Sequence, residues 1–202
     1  MIDLNSQNEW QFRDETNGLI FPWYTKPALD EIVTWDLKDK MVFEYGCGAS
    51  SLWWAAKCKE LYGVEYSKDY LLAVCQQINY NATLHGTQDE VDYVNSLRQY
   101  NIRFDIIIID GSFRDECVPV ALECLESGGK LIFDNWMQPE VTLQSQETQD
   151  IVLALPHNIY KQSGHPHWQT LIATKPREIN DINITEVSLL QNGQYGIGYT
   201  AH

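Results

Sequence analysis

The chain has 202 residues, 44% of them hydrophobic, a length and composition that suit a single domain with a full core. Its 14 basic and 28 acidic residues leave a net charge of −14, and a surface so acidic repels phosphate backbones and anionic membranes. Nucleic acid and membrane are therefore set aside as partners; no apolar run reaches the roughly 18 residues of a bilayer span.

The opening residues, MIDLNSQNEWQF, lack the basic segment and apolar stretch of a secretory leader. Cys47, Cys58, Cys75, Cys117 and Cys124 form no CxxC pair, are odd in number and fall mostly in apolar runs. Buried thiols in a reducing cytoplasm are the expectation.

In chain order, PALDEIVTWDL (27–37) has helical spacing and opens on a proline suited to a first turn. KMVFEYG follows as a buried strand and SSLWWAAKC as a helix; ELYGVEY (60–66) is the second strand. SKDYLLAVCQQINYN reads as a helix capped by Ser67, residues 82–88 as a weak third strand, and DEVDYVNSLRQY as a helix. FDIIIIDG (104–111) is the clearest strand, because four consecutive isoleucines need cover on both faces of a sheet. DECVPVALECLESGG reads as a helix closed by its glycines, and KLIFDNW as the fifth strand. This alternation predicts an α/β fold, a doubly wound, mostly parallel Rossmann-like sheet with right-handed crossovers. HNIYKQSG and HWQTLIATKP, joined by a short HP turn, predict a C-terminal antiparallel hairpin. One domain is expected over 1–202, with a core at about 20–176 and an extension over 177–202.

VFEYGCGASS carries the chemistry. In an open parallel sheet ligands sit at the carboxyl ends of the strands, and this loop closes the first one. Gly46 and Gly48 allow a tight turn and let backbone N–H groups reach a ligand, while the following helix N-terminus favours an anionic group. A branched side chain at Gly46 is expected to block that ligand and leave the domain folded. Glu65 ends the second strand 19 residues after Gly46, placed to accept bonds from both hydroxyls of a ribose.

A nicotinamide dinucleotide and S-adenosylmethionine both fit a glycine loop plus such an acid. The dinucleotide fingerprint wants a third glycine where Ser51 stands, and no Tyr-x-x-x-Lys pair is present. Glu44, two residues before the first glycine, suits the amino end of the methyl donor.

Together, FEYGCGASS, VEYS, FDIIIIDG and LESGGKLIFDN resemble class I S-adenosylmethionine-dependent methyltransferases over roughly residues 20–176. FPWYTKPAL and DGSFR are similar to a small-protein branch of that family. The resemblance implies that Gly46 and Gly48, with Cys47 and Ser50 of the same loop, border the methionine portion of S-adenosyl-L-methionine. Glu44 would face its ammonium directly or through water, and Glu65, followed by Tyr66, would hold the ribose. Asp92 and Tyr93 stand where the family reads the adenine edge; an exposed helix face is the equal alternative. Asp110 would border the donor.

Asp110 closes strand four, and Asp134 with Asn135 closes strand five. Catechol-type O-methyltransferases hold a divalent cation with an Asp and an Asp-Asn pair at these strand ends, yet GSFRDE lacks the lysine expected after Asp110. A divalent cation is thus the less favoured reading, and Asp110 and Asp134 are taken as catalytic pocket acids, Asp134 as general base. His165, His167 and Trp168 read as a solvated turn. The expected function is methyl transfer to a small-molecule acceptor. The alternatives are a donor-binding protein without turnover and, further off, a nicotinamide-dependent oxidoreductase.

Overall fold

Ile106 to Ile109 need apolar cover on both sides, and a sheet between two helical layers supplies it. A computed structural model describes residues 13–78, 81–138 and 144–177. In them α1 (Lys26–Ile32), β1 (Met41–Tyr45), α2 (Ala49–Lys57), β2 (Glu60–Glu65), α3 (Lys68–Cys75) and β3 (Ala82–Gly86) come first. Then follow α4 (Glu90–Val94), a 3-10 turn (Ser96–Tyr100), β4 (Phe104–Ile109), α5 (Arg114–Cys124) and β5 (Leu125–Asp134). The last elements are α6 (Gln146–Leu153), β6 (His157–Gln162) and β7 (His165–Thr174).

The strands form one sheet in the order β3-β2-β1-β4-β5-β7-β6. The first five are parallel, and β7 runs antiparallel to both β5 and β6. This is the doubly wound, mostly parallel sheet with a terminal hairpin that the alternation of runs predicts. Side chains alternate across it with period two. Phe43, Tyr45, Ile107, Ile109, Leu131 and Phe133 enter one core with Val118 and Ala121 of α5. Val42, Ile106, Ile108 and Ile132 enter the other with Ile32 of α1 and Trp53 and Trp54 of α2.

Several element bounds differ from the sequence expectation. The first helix stops at Ile32, and the third strand ends at Gly86. The predicted helix over 89–100 divides at Asn95 into α4 and the 3-10 turn. Ser67 stands at the N-cap of α3 without a side-chain capping bond. Gly128 and Gly129 do not close a helix: α5 ends at Cys124, and both glycines lie inside β5. A Cβ on Gly129 would meet the Asp105 carbonyl at 2.9 Å, so strand contact excludes a side chain there. The polar run of α6 was not foreseen; Ser145 caps it by accepting from Thr148 N–H at 3.1 Å. The hairpin turns at Ser163 and Gly164 (φ +78°), so His165 and Pro166 already belong to β7. Residues 178–202 of the expected extension lie outside the described residues. Among the described residues no helix is long and apolar enough to cross a membrane.

Candidate functional site

Strand register brings the predicted residues together. Tyr45 pairs with Ile109 and Ile109 with Phe133, so Gly46, Asp110 and Asp134 follow at one level on the carboxyl edge. The strand order reverses between β1 and β4, where an open parallel sheet offers a crevice.

The two loop glycines do different work. Gly46 has φ +88° and donates its N–H to the Val64 carbonyl at 2.9 Å. A Cβ there would lie 2.6 Å from Gly111 Cα and 2.8 Å from the Asp110 carbonyl oxygen, so the β1–α2 and β4–α5 loops touch backbone to backbone. A branched residue at Gly46 therefore strikes the fold itself, contrary to the expectation of a folded, ligand-blocked domain. At Gly48 a Cβ would meet nothing within 4 Å. This is the position that opens outward.

Glu44 is fully buried beneath the loop, because as an even-numbered residue of β1 it shares the face of Val42, which packs under α2. It accepts from Ser50 Oγ at 2.5 Å and from Ser51 Oγ, tying the strand to the first turn of α2. Burial outweighs these bonds and pushes its carboxyl up to about 8. Glu44 shapes the loop from below, and its lack of exposed surface is at odds with the direct ammonium contact, one of the two contacts that the resemblance implies. Ser50 likewise turns inward. The Cys47 side chain is buried, and its thiol is raised by burial. Its backbone N–H donates to Glu65 Oε2 at 2.7 Å. Glu65 Oε1 accepts from Ser67 N–H at 2.6 Å, and partial burial raises the carboxyl. A carboxylate offers roughly four acceptor positions, so Glu65 can still accept from a ligand.

Next to Glu65, the Tyr66 ring, 37% exposed, meets Phe113 edge-on at 5.6 Å. Phe113 itself holds φ +50° and lies 5.7 Å from the Tyr93 ring. Tyr93 is fully buried, its hydroxyl accepting from Ser112 N–H at 3.3 Å. Asp92 faces solvent, its backbone N–H held by the Asp89 carboxylate at 2.9 Å. The pair thus divides: Asp92 lies on the open helix face, and Tyr93 props the β4–α5 loop.

At the ends of β4 and β5, Arg114 joins the two acids. Its Nη2 lies 3.1 Å from Asp110 Oδ1, its Nε donates to the Gly111 carbonyl at 2.9 Å, and its Nη1 donates to the Asp134 carbonyl. Burial nevertheless pushes Asp110 up to about 6, Arg114 opposing the shift. Asp134 is 3% exposed; burial first, and the charge of Asp110 second, hold its carboxyl well above the usual range. Thr170 Oγ1 donates to Asp134 Oδ1 at 2.8 Å and accepts from Thr25 N–H at 3.0 Å, linking the WYT segment to β5. Asn135 (φ +53°) donates its side-chain amide to Gln138 Oε1 at 2.9 Å. Among the described residues no cluster of three or more His, Cys, Asp or Glu is placed to hold a metal. A guanidinium already supplies the positive charge between the strand ends.

A cavity of about 310 Å³ opens beside this pair. Asp110, Asp134, Asn135 and Gln138 form its floor, and Trp23, His165 and Trp168 its walls. Trp23 and Trp168 meet edge to face with centroids 6.0 Å apart. His165 and Trp168 thus belong to the site rather than to a solvated turn, whereas His167 is exposed. Sequence reasoning missed Arg114, Thr170 and Trp23. The i,i+4 spacing of Asp110 and Arg114 was the one local signal; Thr170 becomes a partner of Asp134 only through β5–β7 pairing.

No family model matches the sequence, and no curated protein is similar to it. Solved structures are similar in backbone. A putative O-methyltransferase from Klebsiella pneumoniae, 19% identical, gives a TM-score of 0.52 over 73% of this chain and 77% of that one. An O-methyltransferase of tomaymycin synthesis from Streptomyces achromogenes, in complex with S-adenosylmethionine, is 15% identical with a TM-score of 0.54 over 67% and 73%. An rRNA methylase from Streptococcus thermophilus is 17% identical with a TM-score of 0.54 over 75% and 95%. The chain has the class I S-adenosylmethionine-dependent methyltransferase fold.

Within that fold the glycine loop and Glu65 stand at the ends of β1 and β2. Gly48 leaves open space in its Cβ direction, and Glu65 has acceptor capacity left. Among these neighbours the fold is found both in small-molecule synthesis and in an rRNA methylase.

Proposed function

We propose that the protein is an S-adenosylmethionine-dependent methyltransferase acting on a small molecule. The observation that carries this is the link from Glu65 to Cys47 N–H at 2.7 Å. It locks a ribose-type acceptor to a glycine loop whose Gly48 opens into free space. The first N–H groups of α2 take the methionine carboxylate beside the open side of Gly48, whose own N–H donates to Ser51 Oγ at 3.0 Å; Glu65 takes the ribose hydroxyls, and Tyr66 and Phe113 border the adenine. Glu44, Ser50 and Cys47 hold the loop's shape, and Tyr93 holds the β4–α5 loop against it. Asp110 stands between donor and cavity.

When bound, the donor supplies a methyl group on a positively charged sulfur. The chain's part is to place an acceptor atom in line with that group, where positioning supplies much of the rate, and to receive its proton. Asp134 is the proton acceptor: buried, held above the usual carboxylate range by that burial, and oriented by Thr170. Asp110 lies within the field of the Glu65 carboxylate, and negative charge on these two groups suits a donor with positive sulfonium and ammonium groups. A dinucleotide pyrophosphate would add negative charge to the same place.

Calorimetric titration with S-adenosylhomocysteine tests the proposal, with the nicotinamide dinucleotides as the comparison. Saturable binding of the former alone is expected. Glu65→Gln should weaken it at least tenfold, since hydrogen bonds to a charged group contribute about 1.5–3 kcal/mol and about 1.4 kcal/mol is a factor of ten. An unchanged dissociation constant in Glu65→Gln would remove Glu65 from the donor site, and binding of a dinucleotide instead would end the proposal.

A further inference from the structure

We propose that the cavity beside Asp134 takes an organic cation, an ammonium nitrogen carried on a compact apolar or aromatic body, and that this nitrogen is the atom methylated. The inference rests on the methyltransferase reading and goes further by naming the acceptor class.

The lining carries the argument. Two carboxyl groups and two indoles face the space, and no Lys or Arg is among its described lining residues. Arg114 forms its ion pair with Asp110 and meets Asp134 through the backbone carbonyl, favouring the Asp134 carboxylate less than burial disfavours it. An uncompensated buried charge is costly, and a carboxyl so placed either keeps a proton or meets a cationic ligand. Thr170 donates to Oδ1 of Asp134, and the Asn135 backbone N–H also bonds to this carboxylate; neither bond brings a positive charge. Trp23 is 50% exposed beside Trp168; indole faces next to carboxylates are what organic cations bind, through the ring quadrupole together with charge. A phenolate, carboxylate or phosphate acceptor would meet the opposite of what it needs, in a protein of net charge −14. The volume of about 310 Å³ stands at the small end of the roughly 300–1,000 Å³ of ligand pockets, which sets the size as compact.

The same geometry balances the transfer. Asp134 takes a proton from the ammonium, freeing a nitrogen lone pair. That pair forms the N–C bond to the donor's methyl as the C–S bonding pair stays on sulfur, so the positive charge passes from sulfur to the methylated nitrogen. The proton on Asp134 leaves to solvent when the product departs.

The test uses the full chain saturated with S-adenosylhomocysteine and three probes of one shape: benzylammonium, benzyl alcohol and phenylacetate. Binding is read from tryptophan fluorescence and from the indole N–H signals of Trp23 and Trp168. Benzylammonium is expected to bind at least tenfold more tightly than benzyl alcohol, with phenylacetate weakest. Asp134→Asn should erase the preference for the cation while retaining the alcohol. Trp168→Leu, at a half-buried site, should weaken the cation several-fold and carries the test if Asp134→Asn does not fold. Equal or tighter binding of the alcohol or the anion overturns the inference, as does the absence of saturable benzylammonium binding, or a preference that survives both substitutions. The donor reading is scored separately. If S-adenosylhomocysteine binds and the preference is missing, the inference fails alone; if the chain does not bind S-adenosylhomocysteine, the cation cannot be called an acceptor and both fail.

Discussion

Gly46 and Gly48 stand two residues apart in one loop, and the structure predicts opposite consequences for filling them. At Gly46 the added carbon would sit 2.6 Å from Gly111 Cα, against the roughly 3.5–4.0 Å at which carbon atoms rest comfortably. The neighbour cannot retreat, because Gly111 lies directly on the Tyr93 hydroxyl and Arg114 ties its carbonyl. Overpacking of this kind costs about 1–3 kcal/mol, and the left-handed φ of +88° adds about 1–2 kcal/mol for any L side chain. Together this is about 2–5 kcal/mol, a large share of the roughly 5–15 kcal/mol that holds a domain together. At about 2–4 °C per kcal/mol for a chain of this size, Gly46→Ala should melt on the order of 10 °C lower. Gly48 has φ −160°, extended backbone that any residue adopts, and open space around its Cβ direction. Gly48→Val loses a favourable helix cap worth about 1 kcal/mol, so it should melt within about 4 °C of the parent. Its methyls enter the donor space, and affinity for S-adenosylhomocysteine should fall at least tenfold. Thermal melts paired with calorimetry read both numbers. Parental affinity in Gly48→Val would show that the loop does not touch the donor, and a parental melt in Gly46→Ala would refute the loop-to-loop contact.

Glu44 makes stability depend on pH. Its folded value of about 8 lies above the ordinary 4.5 of the unfolded chain, so between these limits the folded state holds a proton the unfolded state has released. Stability should therefore fall as pH rises through that window, by up to about 1.4 kcal/mol per unit from this group. Glu44→Gln should make the slope shallower, and equal slopes in denaturant titrations would contradict the assignment. Arg114→Met removes the donors to Asp110 and to two carbonyls; losing one partner of a buried pair costs up to about 3–5 kcal/mol. Part of that loss should return on acidification, when the stranded Asp110 takes a proton. A variant equally destabilised at acidic and neutral pH would show that packing, not charge, is what Arg114 contributes.

What could be read from the sequence was written in short runs. The isoleucines of β4, the EYGCG turn and Glu65 closing β2 are local patterns, and each fixes a place on the carboxyl edge once the strands are parallel. What could not be read depends on partners distant in the chain. Gly128 and Gly129 look like a helix stop, but Gly128 N–H donates to the Lys175 carbonyl at 2.9 Å and the pair belongs to a strand. Asp92 and Tyr93 are adjacent letters with opposite fates, since helix rotation against Gly111 decides which one is buried. The α6 run is short and opens on polar residues, so its one-turn buried pair, Thr148 and Val152, makes little of a stripe, and its Ser145 cap is the clearer local mark.

Arg114 is the residue whose meaning changes most between sequence and structure. After Asp110 the chain has an arginine at i+4 and lacks the lysine that the catechol-type pattern expects nearby, and by sequence alone this weakened the analogy without replacing it. Lysine is a point charge, whereas the planar guanidinium has donors on two edges. Here those edges reach the Asp110 carboxylate, the Gly111 carbonyl and the Asp134 carbonyl at once. One side chain therefore clamps the ends of β4 and β5, neutralises Asp110, and offsets the burial of the Asp134 carboxyl only in part. A divalent cation set between the same strand ends would face that guanidinium directly, and the repulsion sets the expectation for the catalytic assay: turnover should be indifferent to chelators. Loss of activity with a chelator, restored by added Mg²⁺, would mean that Arg114 moves aside on binding and that the charge arrangement drawn from the structure is wrong.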